Sequence, residues 1–347
     1  MGTIKRKLAS IREIKDVQPI EGADKICKYL IDGWWVVDGI GKYVVGDKVT
    51  YYEVDSVLPV CPEFEFLRKS CYVSKDWLPA GEGFRLKTIR LRGQLSQGLI
   101  TSPPEGNFDI GDDVTELLGV VKWDPPVPAC LAGLARGAFP SFIQKTDQER
   151  AQNIWAELKA KYGGLAFEVT MKLDGSSGTF YYNDGDSGAC SRNLNLKLEG
   201  NDSNSFVQFA LRTGLLSALA TVGDNVAIQG EMMGPGIQGN REGLKETEFF
   251  VFDLFLIDDQ RYATSAERAF YLSKLEALTG VKLNHVPVLG EITLDQFDSI
   301  EDILAYVRGP SLNHKIREGD VFKAVAVVNG AVPSFKVINN DFLLEEK

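Results

Sequence analysis

The feature that most limits what this chain can fold into is a set of five ionisable residues placed inside segments that otherwise read as buried strands. Lys172 ends FEVTMK, Glu231 lies in NVAIQGEMMG, Asp253 in FFVFDLFLI, Lys323 in DVFKAVAVV and Lys336 in PSFKVIN. Burying one unpaired charge costs several kcal/mol, so a chain that does it five times must pair those charges or use them. Any one of them alone reads as a strand-edge residue or half of an ion pair. Together, cations and acids on separate strands that face one cleft suit a polyanionic ligand with its metal ion.

The segments around these strands divide the chain. The first hundred residues read as short strands at Lys28–Val37, Lys48–Val57 and Arg85–Leu91, broken by turn signals at Asp38-Gly39, Val45-Gly46-Asp47 and Ala80-Gly81. Short β-branched and aromatic strands with such turns predict a small barrel. Pro125, Pro126, Pro128 and Pro140, with Gly133 and Gly137, then suggest a linker over 121–140. Beyond it, helices are expected over Thr146–Tyr162, Ser203–Ala220 and Thr264–Thr279. The last opens on a Thr264-x-x-Glu267 capping box and stops at Gly280. They alternate with strand candidates at 166–171, 178–182, 225–233, 248–257, 320–328 and 334–338, which gives an α+β domain.

Several chemistries are closed off. The five cysteines are odd in number and form no CxxC pair, so neither a disulfide framework nor a structural zinc site is expected, and a reducing setting, cytoplasmic or nuclear, fits. The two histidines, His285 and His314, stand apart and are expected to cap or face solvent rather than catalyse. No apolar run reaches the ~18 residues of a membrane helix. The N-terminal charges lack an apolar stretch behind them, so no secretion signal is expected. An enzyme built on this chain must work with Lys, Arg, Asp and Glu.

Lys172-Leu173-Asp174-Gly175-Ser176-Ser177 resembles the nucleophile motif of the covalent nucleotidyltransferases, the superfamily of ligases and capping enzymes. Further motifs follow in the same order: Cys190-Ser191-Arg192-Asn193, Gln229-Gly230-Glu231-Met232-Met233-Gly234, Phe249–Asp253, Arg317–Lys323 and Ser334–Ile338. Only eleven residues follow Lys336, so the OB domain that ends DNA ligases and capping enzymes has no room there. The small β domain precedes the motifs instead. That order, with Glu53–Pro59, Arg90–Gly98 and Pro140–Asp147, is similar to the Deinococcus- and Naegleria-type RNA ligases. The resemblance implies an N-terminal OB-fold β-barrel over 1–120, the linker, and over 141–347 an adenylyltransferase domain of ATP-grasp-like ligase form, with antiparallel sheets and flanking helices.

The same resemblance implies that Lys172 takes AMP from ATP, that AMP passes to an RNA 5′-phosphate, and that a 3′-hydroxyl then displaces it. Arg192 and Glu231 would hold the ribose, although Glu231 could instead hold a metal-bound water. Phe252 would stack on adenine or pack in the core. Asp174 and Glu318 would engage hydrated Mg²⁺, with Mn²⁺ able to substitute; Lys323 and Lys336 would touch the α-phosphate, and Arg150 the outer phosphates. Ser334 and Met171 depart from the family pattern, which often has Lys and Glu there. The implied partner is nicked duplex RNA, or an RNA/DNA hybrid, met by a monomer with no membrane involved. A capping-type guanylyltransferase and a non-catalytic OB-fold RNA-binding protein remain as alternatives.

The net charge of −10 at first argues against a nucleic-acid partner. Its distribution changes that reading. Residues 1–100 hold 16 basic and 13 acidic side chains, and Gly83–Pro104 carries Arg85, Lys87, Arg90 and Arg92 with no acid. As strand residues, Arg85 and Lys87 would share one face as a track for phosphates, or as an ordinary solvated face.

Overall fold

The structure is a computed structural model that describes residues 6–124, 133–201 and 203–345. Two compact units emerge: Ile4–Pro126 with Gln152–Trp155, and Val127–Ala151 with Ala156–Lys347.

In the N-terminal unit the expected barrel is present as an antiparallel sheet in the order Leu99–Thr101, Lys48–Tyr52, Ala9–Pro19, Ile26–Ile31, Trp34–Gly39. The eleven-residue strand Ala9–Pro19 serves two partners. Its first half pairs with Lys48–Tyr52 and its second half with Ile26–Ile31, and the second pairing carries a register shift between Ile14 and Asp16. Such an irregularity bends a strand, which lets one strand turn the corner of a small barrel. Three expected strands are shorter than read. Asp32, with φ 48°, splits Lys28–Val37 into a hairpin; Asp55, with φ 63°, separates Lys48–Tyr52 from Ser56–Leu58. Arg85–Leu91 divides between Glu82–Arg85 and Ile89–Leu91, so Arg85 and Lys87 do not share a strand face. Arg85 is committed elsewhere, 3.0 Å from Asp55 and 4.4 Å over the Trp123 ring.

The C-terminal unit is built on two sheets. The larger runs Ala135–Ala138, Leu194–Leu196, Asp186–Ser191, Ser176–Asn183, Val226–Met233, Glu248–Leu256, Arg261–Tyr262, with Asn284–His285 added in parallel on Glu248–Leu256. The smaller runs Glu149–Arg150, Ser334–Ile338, Gly319–Ala324, Ala166–Lys172, Val288–Thr293. One face of the larger sheet is covered by the helices Ser205–Thr213, Leu215–Val222 and Ser265–Thr279. Phe180, Phe209 and Phe249 meet there with ring centroids 5.0 to 5.7 Å apart, each pair contributing roughly 0.5–1.5 kcal/mol beyond its buried area.

The expected second helix is two helices, because Gly214 adopts φ 68° between them. The first begins at Ala151 rather than Thr146: Arg150 is extended and pairs with Lys336 in the smaller sheet. The third has its capping box in full, with Thr264 and Glu267 bonded reciprocally and Gly280 closing the end. Of the expected linker, Pro125, Pro126 and Pro128 lie outside the described residues, while Val121–Lys122 and Ala135–Ala138 are strands. Among the described residues no single helix is long and apolar enough to cross a membrane.

Candidate active site

The Lys172–Ser177 motif bridges the two sheets of the C-terminal unit. In Ala166–Lys172, Phe167, Val169 and Met171 are buried between Gly319–Ala324 and Val288–Thr293, and the strand ends with Lys172 opposite Gly319. The chain then turns through Leu173-Asp174-Gly175 and enters Ser176–Asn183 of the larger sheet, where Ser177 stands opposite Glu231. A side chain at position 175 would bring a Cβ to 2.4 Å from the Met232 carbonyl oxygen, so the motif needs glycine for this close passage. At Gly319, with φ 149°, a Cβ would fall 2.1 Å from the Val337 carbonyl oxygen. That glycine sets the backbone of Glu318 beside Lys172, and the Glu318 carbonyl accepts from the buried Asn339 N–H at 2.9 Å.

A cleft of about 290 Å³ opens at this crossing. Lys172, Asp174, Arg192, Glu231, Phe252, Glu318, Lys323 and Lys336 all line it, although they come from both sheets and from 165 residues of sequence. Arg150 does not line it; it stands in register with Lys336 on the neighbouring strand. Phe252 is half-buried beside Met171, Leu173, Met233 and Val286, so its ring belongs to an apolar wall as well as to the cleft. Thr146, Asp147 and Gln148 also line the cleft, which a reading of the charged strands alone does not reveal.

The electrostatics decide which roles are open. The Lys172 side chain is 27% exposed, so a ligand can reach it, and its Nζ lies 2.5 Å from Glu318 Oε1. Burial alone would push its pKa down, but Glu318, Glu231 and Asp174 together raise it above the usual lysine value. The carboxylates therefore outweigh burial in setting the direction of this shift. Burial lifts Glu231 to about 7, against the pull of Lys172 and with the help of Glu318, while the Gly175 N–H bonds its carboxylate. Lys336 is pushed down to about 8 by burial and then by the neighbouring Arg150 and Lys172.

Lys323 is less available than expected. Its ammonium is 2.8 Å from Asp253, bonds the Phe252 carbonyl, and is almost wholly buried. A phosphate contact from Lys323 would have to share this pair; Lys336, 4.0 Å from Asp147, is freer to meet one. His285 is half-buried rather than fully exposed. It accepts from Arg268 Nε at 2.8 Å, its other nitrogen bonds the Val286 carbonyl, and burial followed by the Arg268 charge lowers its pKa to about 4. Arg268 also bonds Glu168, joining the helix Ser265–Thr279 to the strand Ala166–Lys172. His314 takes the expected local role, accepting from the Ile316 N–H at 3.2 Å.

Among the described residues, no three His, Cys, Asp or Glu side chains close into a direct coordination shell. Asp174, Glu231 and Glu318 still share one cleft and one amine, and a carboxylate raised to about 7 by burial and like charge is a group that a cation would relieve. The donor set fits a hydrated divalent ion held through its water shell.

Glu231 also marks the site in the protein's stability. Its folded pKa lies above its unfolded value of 4.5, so between about pH 4.5 and 7 the native state holds more protons than the unfolded state. Stability is then expected to fall as pH rises through that window, by roughly 2 kcal/mol after discounting for residual exposure. Chemical denaturation at pH 5 and pH 8 measures the slope. Glu231→Gln should reduce the slope, leaving the part due to Asp320, which burial also raises to about 7, and should stabilise the ligand-free protein at pH 8.

The comparisons agree with this geometry. An OB-fold domain model matches residues 8–103 and an RNA ligase model matches residues 165–338. A solved structure of Naegleria gruberi RNA ligase with PPi is 40% identical, with 98% of each chain covered and a TM-score of 0.78. A lysine-to-alanine mutant of that ligase with ATP and Mn is 39% identical over 98% of this chain and 99% of its own, with a TM-score of 0.80. An apo mutant gives 39% identity, 99% coverage of both chains and a TM-score of 0.81. No curated protein matches. An N-terminal barrel, a lysine raised between carboxylates where two sheets cross, and full-length similarity at 39–40% identity place this chain in the RNA ligase family.

Proposed function

We infer that this protein is an ATP-dependent RNA ligase that joins a 3′-hydroxyl to a 5′-phosphate, with Lys172 as the nucleophile. The observation that carries the reading is the placement of Lys172: reachable from the cleft, flanked by Glu318, Glu231 and Asp174, and facing Lys336. Three transfers would follow. The Lys172 ammonium gives up a proton to solvent and the neutral amine attacks the α-phosphorus of ATP; a P–N bond forms, the bond to the β-phosphate bridging oxygen breaks, and pyrophosphate leaves. An RNA 5′-phosphate oxygen then attacks the same phosphorus, releasing the lysine, which regains its proton. Finally a 3′-hydroxyl attacks the RNA 5′-phosphorus, and AMP departs.

In this scheme Lys336 neutralises the α-phosphate, Arg192 and Glu231 hold the ribose, Phe252 stacks on the adenine, and Arg150 meets the outer phosphates from the rim. Phosphoryl transfer depends mainly on such positioning and charge stabilisation. Asp174, Glu231 and Glu318 would hold hydrated Mg²⁺, or Mn²⁺ in its place. When bound, that ion supplies the positive charge that offsets the carboxylates around the amine.

Incubation with labelled ATP or GTP and Mg²⁺, followed by denaturation, tests the reading. ATP should label the protein covalently; labelling by GTP alone would support capping chemistry instead, and no label at all would leave a non-catalytic RNA-binding protein. For the substrate, a nick whose 3′-hydroxyl strand ends in RNA should be sealed at least about tenfold faster than an all-DNA nick, by the cost of leaving a site for the 2′-hydroxyl unfilled. Equal rates would remove the RNA preference.

A further inference from the structure

The N-terminal unit carries a feature that the nucleotide chemistry does not use. Ile89–Leu91 and Gln94–Ser96 form a separate two-stranded hairpin, with Leu91 opposite Gln94 and the residues Arg92-Gly93 as its turn. Both turn residues have positive φ, 52° and 79°, the conformation that matches the twist of a two-residue hairpin. Gly93 adopts it without cost, but Arg92 does not: a non-glycine residue there is strained, and asparagine, aspartate or glycine would relieve it. An arginine at the tip is a departure from what the turn itself asks for.

One strand of the hairpin is anchored and the other is presented. Leu95 and Ser96 are buried. The Ser96 hydroxyl accepts from the Val37 N–H at 2.9 Å, and the Gln97 N–H donates to the Trp35 carbonyl at 3.0 Å. Thr88 and Gln97 are joined side chain to side chain at 2.8 Å. The opposite edge, by contrast, exposes Lys87, Ile89, Arg90 and Arg92. This edge sits in the Gly83–Pro104 stretch that contains no acid, within a chain of net charge −10. Arg85 is withdrawn from the set by its pairing with Asp55. What remains is a local positive ridge fixed on the barrel edge Trp34–Gly39, with Lys87 and Arg92 at its two ends and Ile89 and Arg90 between them, Arg90 having an interaction of its own.

We propose that this hairpin, with Lys87 at its foot and Arg92 at its tip, is a clamp that grips the phosphate backbone of the RNA substrate. The inference rests on the ligase reading for the identity of its partner. Cations of a rigid hairpin lose little freedom on contact, and each phosphate neutralised releases condensed counterions, so the clamp contributes affinity that falls as salt rises. An exposed isoleucine between the cations adds apolar contact to sugar edges and disfavours a purely solvated role.

Two variants test it in the full-length protein. Arg92→Gly removes the tip cation while relieving the backbone, so the hairpin is not weakened. Lys87→Ala/Arg90→Ala/Arg92→Gly removes all three. Binding to a nicked RNA duplex is measured against salt, alongside covalent labelling by ATP and thermal unfolding. The triple variant should bind at least about tenfold more weakly at ~0.1 M salt, with the log–log salt slope reduced by about 0.9 for each phosphate that is no longer neutralised. ATP labelling should be unchanged, Arg92→Gly should not lower the unfolding temperature, and Arg92→Lys should restore most of the affinity that Arg92→Gly removes. Unchanged affinity and salt slope in the triple variant would overturn the clamp. Failure of the unaltered protein to label with ATP would instead overturn the ligase reading, so the two failures are separable.

Discussion

Lys172→Ala is expected to abolish covalent labelling by ATP and to reduce strand joining by at least about 10⁴-fold, the scale seen when a nucleophile is removed. Lys172→Arg separates the two things the lysine does. A guanidinium keeps the positive charge that faces Glu318 and Glu231, so folding and the balance of charge in the cleft should survive. It cannot present a neutral nitrogen near neutral pH, so it cannot attack. Both variants should therefore fail to form the adduct, and only Lys172→Ala should disturb the pKa of Glu231, driving it higher still as the opposing cation is removed. Gel detection of the labelled protein after denaturation reads the first result. The pH dependence of stability, from about 4.5 upward through 7, reads the second. An adduct that persists in either variant would move the nucleophile to another lysine.

How much of this was legible in the sequence depends on the kind of information each element needed. The strands that carry Lys172, Glu231, Phe252, Lys323 and Lys336 are apolar enough to be read directly, and charges within them point to a cleft because their burial has to be compensated. Helix ends set by local chemistry were equally readable, as Thr264, Glu267 and Gly280 demonstrate. Turns closed by a non-glycine residue with positive φ were not: Asp32 and Asp55 break strands that composition makes continuous. Edge strands such as Val288–Thr293, half-exposed and weakly alternating, gave no periodic signal. Partner choice inside the site was also hidden. The Lys323–Asp253 pair joins two strands far apart in the chain, and the Glu168–Arg268–His285 group spans three elements, so only the folded chain shows that these charges are already spoken for. Lysines within apolar strands mark the cleft; the pairing decides which of them remain available to a phosphate.

That distinction leads to the second large effect. Asp253→Asn is expected to destabilise the protein by roughly 3–5 kcal/mol, because it leaves a buried ammonium without its counter-charge. The loss is a large share of a typical domain's total of about 5–15 kcal/mol. Lys323 would keep the Phe252 carbonyl and a neutral amide oxygen in place of the carboxylate, with Arg268 adding like charge nearby and Glu168 offsetting only part of it. Its pKa, already lowered by burial, should fall further, so the penalty is fully present at low pH, shrinks as pH rises through the folded pKa, and is gone above the ordinary lysine value, where the unfolded state also loses its proton. Chemical denaturation at several pH values measures the size. The pair can also be removed together. Asp253→Leu/Lys323→Met replaces two buried charges by apolar groups of similar volume and should regain most of the stability lost in the single variant. If Lys323 also contacts the α-phosphate, the double variant folds but labels slowly with ATP. If Lys323 serves only to balance the buried Asp253, labelling returns with stability, and of the two strand lysines Lys336 alone carries the phosphate.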